Sequence, residues 1–372
     1  MYRLDDLDFM REALRLAEEG TGLASPNPRV GAVVVRDGRI MGRGTHLYER
    51  MTHAEALALA EAGEQARGAT LYLNLEPCCH TGRTPPCTQA IIGAGIARVV
   101  AGMRDPNPRV AGNGFKELEA AGIQVETGCL EREARRLNEA FAKWIRTGLP
   151  YVTLKAAMSL DGRIAAAAPA DGTAAGERQW ISSLPARERV QVLRHQADAL
   201  LTGIGTVASD DPLLTDRSKR PRRRRLLRVV LDRDLRLAPN ARLVASARKH
   251  KDLLVLHASG DAAKRAALEH AGARLEAMEP AAGEGLALEP VLRRLGEMEI
   301  TSVLLEAGAR LNGAMLAGGW VDKLILFVAP KLLGAEGLPL AAGGGELPRL
   351  PEGALTCETV GPDVMIEATL AE

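Results

Sequence analysis

The strongest constraint on this chain is a set of metal donors. One is His53, within His53-Ala54-Glu55. The others lie in the run Pro77-Cys78-Cys79-His80-Thr81-Gly82-Arg83-Thr84-Pro85-Pro86-Cys87. An imidazole and two thiolates make three zinc ligands and leave a fourth position open, whereas a structural site closes all four. The chain must therefore bring residue 53 to residues 78–87. Ala54–Ala62 is built from strong helix formers, with His53 at its start. Residues two apart do not share a face in mid-helix, so His53 and Glu55 can converge only in the first turn. Residues 70–75 (TLYLNL) read as a strand. Pro85-Pro86 predicts a helix start at Cys87, running to Ala94, and a helix N-terminus favours the ligating thiolate. Cys78 and Cys79 both remain candidates for the first thiolate. The Pro-Cys order favours Cys78 and makes Cys79 a packed thiol. His80 can serve as a fourth ligand or as a substrate contact.

These residue types suit one kind of chemistry. Zinc lowers the pKa of water so that hydroxide is available near neutral pH. A carboxylate beside it can take up protons and release them again, which is the role predicted for Glu55. His-x-Glu followed by Pro-Cys-x-x-Cys is the signature of zinc-dependent nucleobase deaminases. Here the gap between the cysteines is longer.

With 372 residues, two domains are expected. Only 3% of the chain is aromatic and the formal net charge is +1. Base-stacking platforms are therefore scarce and there is no global attraction to polyanions, so a nucleic-acid partner is not expected. Five cysteines without a disulfide-like framework suit a reducing cytoplasm. No apolar run approaches the roughly 18 residues of a membrane span, and the acidic start (Asp5, Asp6, Asp8) does not read as a signal peptide.

Periodicity predicts helices over 6–19, 115–121 and 130–145. Strands are predicted at 30–35, 39–42, 98–102 and 124–127, an alternation that points to a layered α/β domain. The breaker Thr147-Gly148-Leu149-Pro150 marks the boundary between 1–147 and 148–372. The second part alternates again, with strands at 151–155, 199–202, 226–231, 252–257, 302–305 and 323–329 and helices at 184–195, 261–271 and 289–298. Residues 301–316 read as strand, glycine-containing turn and helix, a place where backbone amides can hold phosphate. The run Lys219–Arg225 (KRPRRRR) reads as a solvated loop, since the chain as a whole is nearly neutral.

Taken together, these motifs resemble the bifunctional deaminase–reductases of riboflavin biosynthesis. In the first half the match is carried by Pro26-Asn27-Pro28-Arg29-Val30-Gly31, Gly44-Thr45-His46, His53-Ala54-Glu55 and Pro77-Cys78 through Cys87. In the second half it is carried by Ser159-Leu160-Asp161-Gly162-Arg163-Ile164-Ala165, Gln179-Trp180-Ile181, Gly205-Thr206-Val207, Asp210 through Thr215, and Glu306-Ala307-Gly308. The resemblance implies a cytidine-deaminase-like three-layer α/β/α domain followed by a dihydrofolate-reductase-like α/β domain, in a homo-oligomer. It implies zinc on His53, Cys78 and Cys87, with Glu55 as proton shuttle. It implies NADPH contacts at Ala157, Trp180, Thr206, Asp210 and the turn Gly308, Ala309, Arg310, Leu311, Asn312, Gly313 and Ala314. It also implies that a phosphorylated pyrimidine meets Asn27, His46 and His80 in the first domain, and Arg178, Arg194, Leu214, Arg217 and Glu306 in the second. The sequence departs from the family at Arg50 (usually Gly), at Thr52 (often Pro), at Arg178 (usually a small hydroxyl residue) and in the Ala/Gly-rich stretch 165–177. A deaminase with a silent second domain, a nucleic-acid deaminase and a non-catalytic zinc protein are the competing readings.

Overall fold

The computed structural model describes residues 4–80, 85–167, 180–350 and 352–370. Arg178, and most of the stretch 165–177, lie outside them. The chain forms two compact units, Met1–Gly148 with Pro221–Arg224, and Leu149–Arg220 with Arg225–Glu372.

The first unit runs α1 (Leu4–Glu18), β1 (Gly31–Arg36), β2 (Arg39–Thr45), α2 (Ala54–Ala62), β3 (Thr70–Leu75), α3 (Cys87–Ala94), β4 (Arg98–Met103), α4 (Asn113–Ala120), β5 (Gln124–Thr127) and α5 (Glu131–Thr147). Its sheet has the order β2-β1-β3-β4-β5. β1 is antiparallel to both of its neighbours, and β3, β4 and β5 are mutually parallel. Glycines show how closely the layers approach. A Cβ on Gly31 would lie 2.1 Å from the Ala13 carbonyl of α1, and Cβ atoms on Gly42 and Gly44 would lie 2.1 and 1.9 Å from carbonyls of α2. Gly31 pairs with Thr45, Gly44 with Ala32. Because strand residues alternate faces, α1 and α2 cover opposite faces, which makes three layers. The core between them is Val, Leu, Ile and Ala, including Val33, Val34, Leu71, Leu73, Val99 and Val100.

Gly44 therefore sets the height of α2, the helix that begins at His53. Gly44→Ala should lower stability by about 1–3 kcal/mol or more through overpacking and should reduce the zinc retained after dialysis. Denaturant unfolding and metal analysis of the purified variant check both effects.

The second unit runs β6 (Tyr151–Ser159), β7 (Arg163–Ala165), α6 (Leu184–Gln196), β8 (Ala199–Gly203), α7 (Ile204–Asp210), β9 (Leu227–Leu231), α8 (Arg242–His250), β10 (Leu253–His257), α9 (Ala262–His270) and β11 (Arg274–Ala277). It continues with α10 (Leu288–Glu297), β12 (Ser302–Leu305), α11 (Ala309–Ala317), β13 (Lys323–Ala329), β14 (Leu338–Pro339), β15 (Leu355–Val360) and β16 (Asp363–Thr369). The main sheet has the order β11-β10-β9-β8-β12-β6-β13-β16-β15. It is parallel from β11 through β13, and β16 and β15 are added antiparallel at the end. The central strands are buried and read as apolar runs, as parallel sheets require. Periodicity did not mark α7, α8, β11 or the terminal β15–β16 hairpin. β15 lies at the sheet edge with its side chains largely exposed, so it lacks the apolar alternation that would reveal it. No helix among the described residues is long and apolar enough to cross a membrane.

Candidate functional site

His53 is the N-cap of α2, in extended backbone with φ −75° and ψ 156°. That non-helical residue lets it turn toward the same side as Glu55. Cys78 follows the end of β3, and Cys87 opens α3 directly after Pro86. The amide of Thr88 donates to the Cys78 carbonyl at 3.2 Å, tying the two cysteine segments together. His53 Nδ1 lies 3.2 Å from Cys87 Sγ and 3.5 Å from Cys78 Sγ. The amide of Cys87 donates to Cys78 Sγ at 3.4 Å. The three donor atoms all fall within 4.8 Å of one another. A tetrahedron built on ordinary Zn–N and Zn–S bonds has edges of about 3.5 Å, so the donor set and its spacing fit zinc. Of the alternatives open in the sequence, Cys78 joins this group. Cys79 does not, and His80 is exposed.

The two thiols titrate as a pair. The hydrogen bond from Cys87 pulls Cys78 down to about 4, and the same bond pushes Cys87 up. The thiolate state a dication needs is thus already favoured at one sulfur. Glu55 is 4% exposed. Burial raises its pKa, and the neighbouring His53 charge opposes the shift. A buried carboxyl with a raised pKa beside a metal-donor set is the kind of group that serves in acid–base chemistry.

His46 and Asn27 join the same neighbourhood. The rings of His46 and His53 meet edge to face, with centroids 5.4 Å apart. Burial lowers the His46 pKa, which favours the neutral ring. Nδ1–H then donates to the Thr52 carbonyl at 3.0 Å, which leaves Nε2 to accept from the Asn27 side-chain amide at 3.0 Å. Any residue supplies a backbone carbonyl, so the departure at Thr52 leaves this contact intact. Arg50 is exposed, in a short 3-10 turn (Tyr48–Arg50). The Asn27 loop is anchored at Arg29, whose carbonyl accepts from the side-chain amides of Asn74 and Asn138, both at 2.9 Å.

The expectation of a solvated basic loop is corrected in part. Lys219, Arg220 and Arg225 are exposed, but Arg222, Arg223 and Arg224 are half-buried, and Pro221–Arg224 belongs to the first unit. The Arg223 guanidinium stacks 3.9 Å from the Tyr48 ring centroid, and its Nε donates to the Ser25 carbonyl at 3.0 Å. Arg224 donates to the Ser25 hydroxyl at 3.1 Å. Guanidinium planes stack on aromatic rings, and a Tyr remote in sequence is not visible to a reading of local charge.

In the second unit, Arg194 on α6 meets Glu306 at the end of β12 in a two-pronged pair. Nε donates to Oε1 at 2.7 Å and Nη2 to Oε2 at 3.0 Å. Lys155 Nζ lies 3.7 Å from Glu306 Oε2. Lys155 was not among the residues singled out from sequence, although a lysine inside the otherwise apolar strand YVTLKAAMS is itself a signal. Burial pushes its pKa down, and Glu306 pulls the other way. β6, β8 and β12 are parallel neighbours, so the residues after their C-terminal ends gather where open α/β sheets bind ligands.

That edge also fits a dinucleotide. Gly308 is the N-cap of the nine-residue α11, and a Cβ there would have only the Thr206 hydroxyl near it, at 3.7 Å. A Cβ on Gly205 would meet nothing within 4 Å. The buried Thr202 hydroxyl at the end of β8 has no protein partner among the described residues. Open backbone at a helix start together with an orphaned hydroxyl suits phosphate and ribose groups. The other residues singled out from sequence have varied surroundings. Asn312 is fully buried and donates to the Ala307 and Leu340 carbonyls. Gly313 packs on Ala342, Ala309 is buried, and Leu311 is half-buried. Ala314 is exposed, as is Arg310, which pairs with Glu284. Ala157 is half-buried in β6, opposite Phe327. Trp180 is 53% exposed, with the Arg187 guanidinium 4.8 Å from its ring. Asp210 is exposed at the end of α7. Leu214 is buried at φ +53°, and Arg217 is exposed, its amide bonded to Gln191.

A hydrolytic zinc deaminase fold joined in one chain to a reductase fold defines a two-site enzyme. Residues 150–366 match the model of the RibD C-terminal domain, and residues 4–103 match that of the cytidine and deoxycytidylate deaminase zinc-binding region. Over 98% of its length the chain is 43% identical to the riboflavin biosynthesis protein RibD of Escherichia coli strain K12, covering 99% of that protein. It is 41% identical to the RibD of Aquifex aeolicus, with 91% of each chain covered. RibD of Acinetobacter baumannii superposes with a TM-score of 0.84 at 38% identity, over 99% of both chains. The deaminase/reductase of Thermotoga maritima superposes with a TM-score of 0.81 at 34% identity, also over 99% of both. The chain belongs to the RibD family: it is a bifunctional deaminase and reductase of riboflavin biosynthesis, with zinc serving the first activity and NADPH the second.

Proposed function

We propose that residues 1–147 remove the 2-amino group of 2,5-diamino-6-ribosylamino-4(3H)-pyrimidinone 5′-phosphate by hydrolysis. Residues 148–372 then reduce the ribosyl group to ribityl, giving 5-amino-6-(5-phosphoribitylamino)uracil. The printed name of the Thermotoga relative, a diaminohydroxyphosphoribosylaminopyrimidine deaminase and 5-amino-6-(5-phosphoribosylamino)uracil reductase, supports both substrates. The observation that carries the first step is the buried Glu55 carboxyl beside a three-donor zinc set.

His53, Cys78 and Cys87 would hold zinc, which supplies a Lewis acid that makes water nucleophilic at neutral pH. Glu55 takes a proton from the attacking water and gives it to the ring nitrogen, then takes the remaining proton of the added hydroxyl and gives it to the departing amine, which leaves as ammonia. Neutral His46 orients Asn27, whose amide is suited to the carbonyl and N–H edge of a pyrimidinone. In the second unit NADPH supplies hydride. Arg194 and Glu306 orient the sugar, and Lys155 is the candidate donor for the ring oxygen released from C1′. The reading extends to a cytoplasmic homo-oligomer. Five free thiols support the compartment, and the exposed edge strand β15 supports association between copies.

A coupled assay with the diaminopyrimidinone ribotide and NADPH tests the proposal. Ammonia release and NADPH loss should be equal. Ammonia without NADPH loss would reduce the second unit to a binding or dimerisation module. Zinc removal by chelation should abolish ammonia release yet leave NADPH oxidation intact when the deaminated intermediate is supplied directly. Loss of both activities on chelation would contradict the assignment of zinc to the first site alone.

A further inference from the structure

β3 and β4 are parallel neighbours, with Leu75 opposite Met103, so the chain leaves both strands at the same edge of the sheet. From β3 comes Glu76-Pro77-Cys78, which carries a zinc donor. From β4 comes the loop 104–112 that leads into α4. The amide of Glu76 donates to the Met103 carbonyl at 3.0 Å. The Glu76 side chain is 3% exposed and turns into this loop. Its Oε2 accepts from the amides of Asp105 at 3.0 Å and Gly112 at 2.9 Å. Its Oε1 accepts from the amides of Gly112 at 2.9 Å, Gly114 at 3.0 Å and Phe115 at 3.4 Å. One carboxylate thus caps α4 and holds the start of the loop. The fit is close. Gly112 has φ +92°, and a Cβ on Gly114 would lie 2.2 Å from the Pro77 carbonyl and 3.2 Å from Glu76 Oε1. The held loop borders the Cys78 segment: Gly114, at the start of α4, packs on the carbonyl of Pro77, the residue before Cys78, and the half-buried Asp105 carboxyl accepts from the Asn107 amide at 2.7 Å.

We infer that Glu76 is a positioning residue for deamination, holding the 104–112 loop against the Cys78 segment as one wall of the pyrimidine site. A buried acceptor that gathers main-chain donors from both ends of a loop fixes that loop more rigidly than packing alone, because each donor would otherwise be left unsatisfied.

Glu76→Gln tests this. Its amide oxygen can keep the Gly112, Gly114 and Phe115 amides, but its NH2 then faces the Asp105 N–H, donor against donor. The full-length, zinc-loaded variant should show faster hydrogen exchange confined to residues 104–112. Its KM for the diaminopyrimidinone ribotide should rise on the order of tenfold, the scale of one lost charge-assisted hydrogen bond, with kcat changed by less than about twofold. Glu76→Asp, which keeps an all-acceptor group, should recover part of the KM. Zinc content and NADPH turnover on the deaminated intermediate count the correctly folded molecules. An unchanged KM and unchanged exchange would overturn the inference. So would a fall in kcat that tracks lost zinc or lost folded protein, since Glu76 would then serve the fold alone.

Discussion

Glu55→Gln should slow ammonia release by roughly 10²–10⁴-fold, the usual contribution of a positioned acid–base group, while zinc content and NADPH oxidation on the deaminated intermediate stay at wild-type levels. The substitution preserves shape and burial but removes the proton shuttle. Glu55 sits in the first turn of α2, two residues past the candidate zinc donor His53, and is 4% exposed. Burial raises its pKa and the His53 charge opposes that rise. Gln has one state only. The same polypeptide carries the reductase, so its rate is an internal measure of correctly folded enzyme. A Glu55→Gln protein that released ammonia at the wild-type rate would remove the carboxyl from the mechanism.

Glu306→Gln should nearly abolish the reductase and also destabilise the second unit, while leaving the deaminase active. Glu306 receives two hydrogen bonds from Arg194, and Lys155 Nζ lies 3.7 Å away. Burial alone would raise its pKa, but the charges of Arg194 and Lys155 outweigh burial and hold it at about 2. Neutralising it takes from the buried Lys155 its counter-charge and leaves the buried Arg194 with Asp216 as its remaining acidic neighbour. Breaking a buried ion pair in this way costs about 3–5 kcal/mol, or about 6–20 °C in Tm for a unit of this size. The pH dependence has a definite sign. A carboxyl whose folded pKa is depressed stabilises the fold above its unfolded pKa, and that contribution is lost as pH falls through the folded value. The wild-type second unit should therefore lose stability between about pH 4.5 and pH 2, and Glu306→Gln should flatten that slope. Thermal unfolding across this range measures it. An equal slope in both proteins would show that Glu306 is not the titrating group.

Much of the first site could be read locally. His53, Glu55, Cys78 and Cys87 each stand at a helix start or strand end that helix formers, prolines and alternation announce within a few residues. The layered α/β class followed from the same alternation. Reading was weaker in the second unit. There the partners Lys155, Arg194 and Glu306 come from a strand, a helix and a second strand far apart in the chain. Arg194 and Glu306 were reached through the family resemblance and not through a local pattern, and Lys155, a charge within a mostly apolar strand, was passed over. The exposed strand β15 had no apolar face to betray it.

The sequence by itself determined which donors could bind zinc and where the helices that present them begin, because capping, proline geometry and helix propensity act over one or two turns. It also favoured Cys78 over Cys79, and the structure groups Cys78 with His53 and Cys87. Tertiary structure alone decided that Arg223 stacks on Tyr48 and that Glu76 gathers the amides of a loop some thirty residues on. Those outcomes depend on which strands become neighbours and on how closely glycines such as Gly44 and Gly114 let the layers approach. Strand pairing and layer packing are non-local, set by the burial of the whole core.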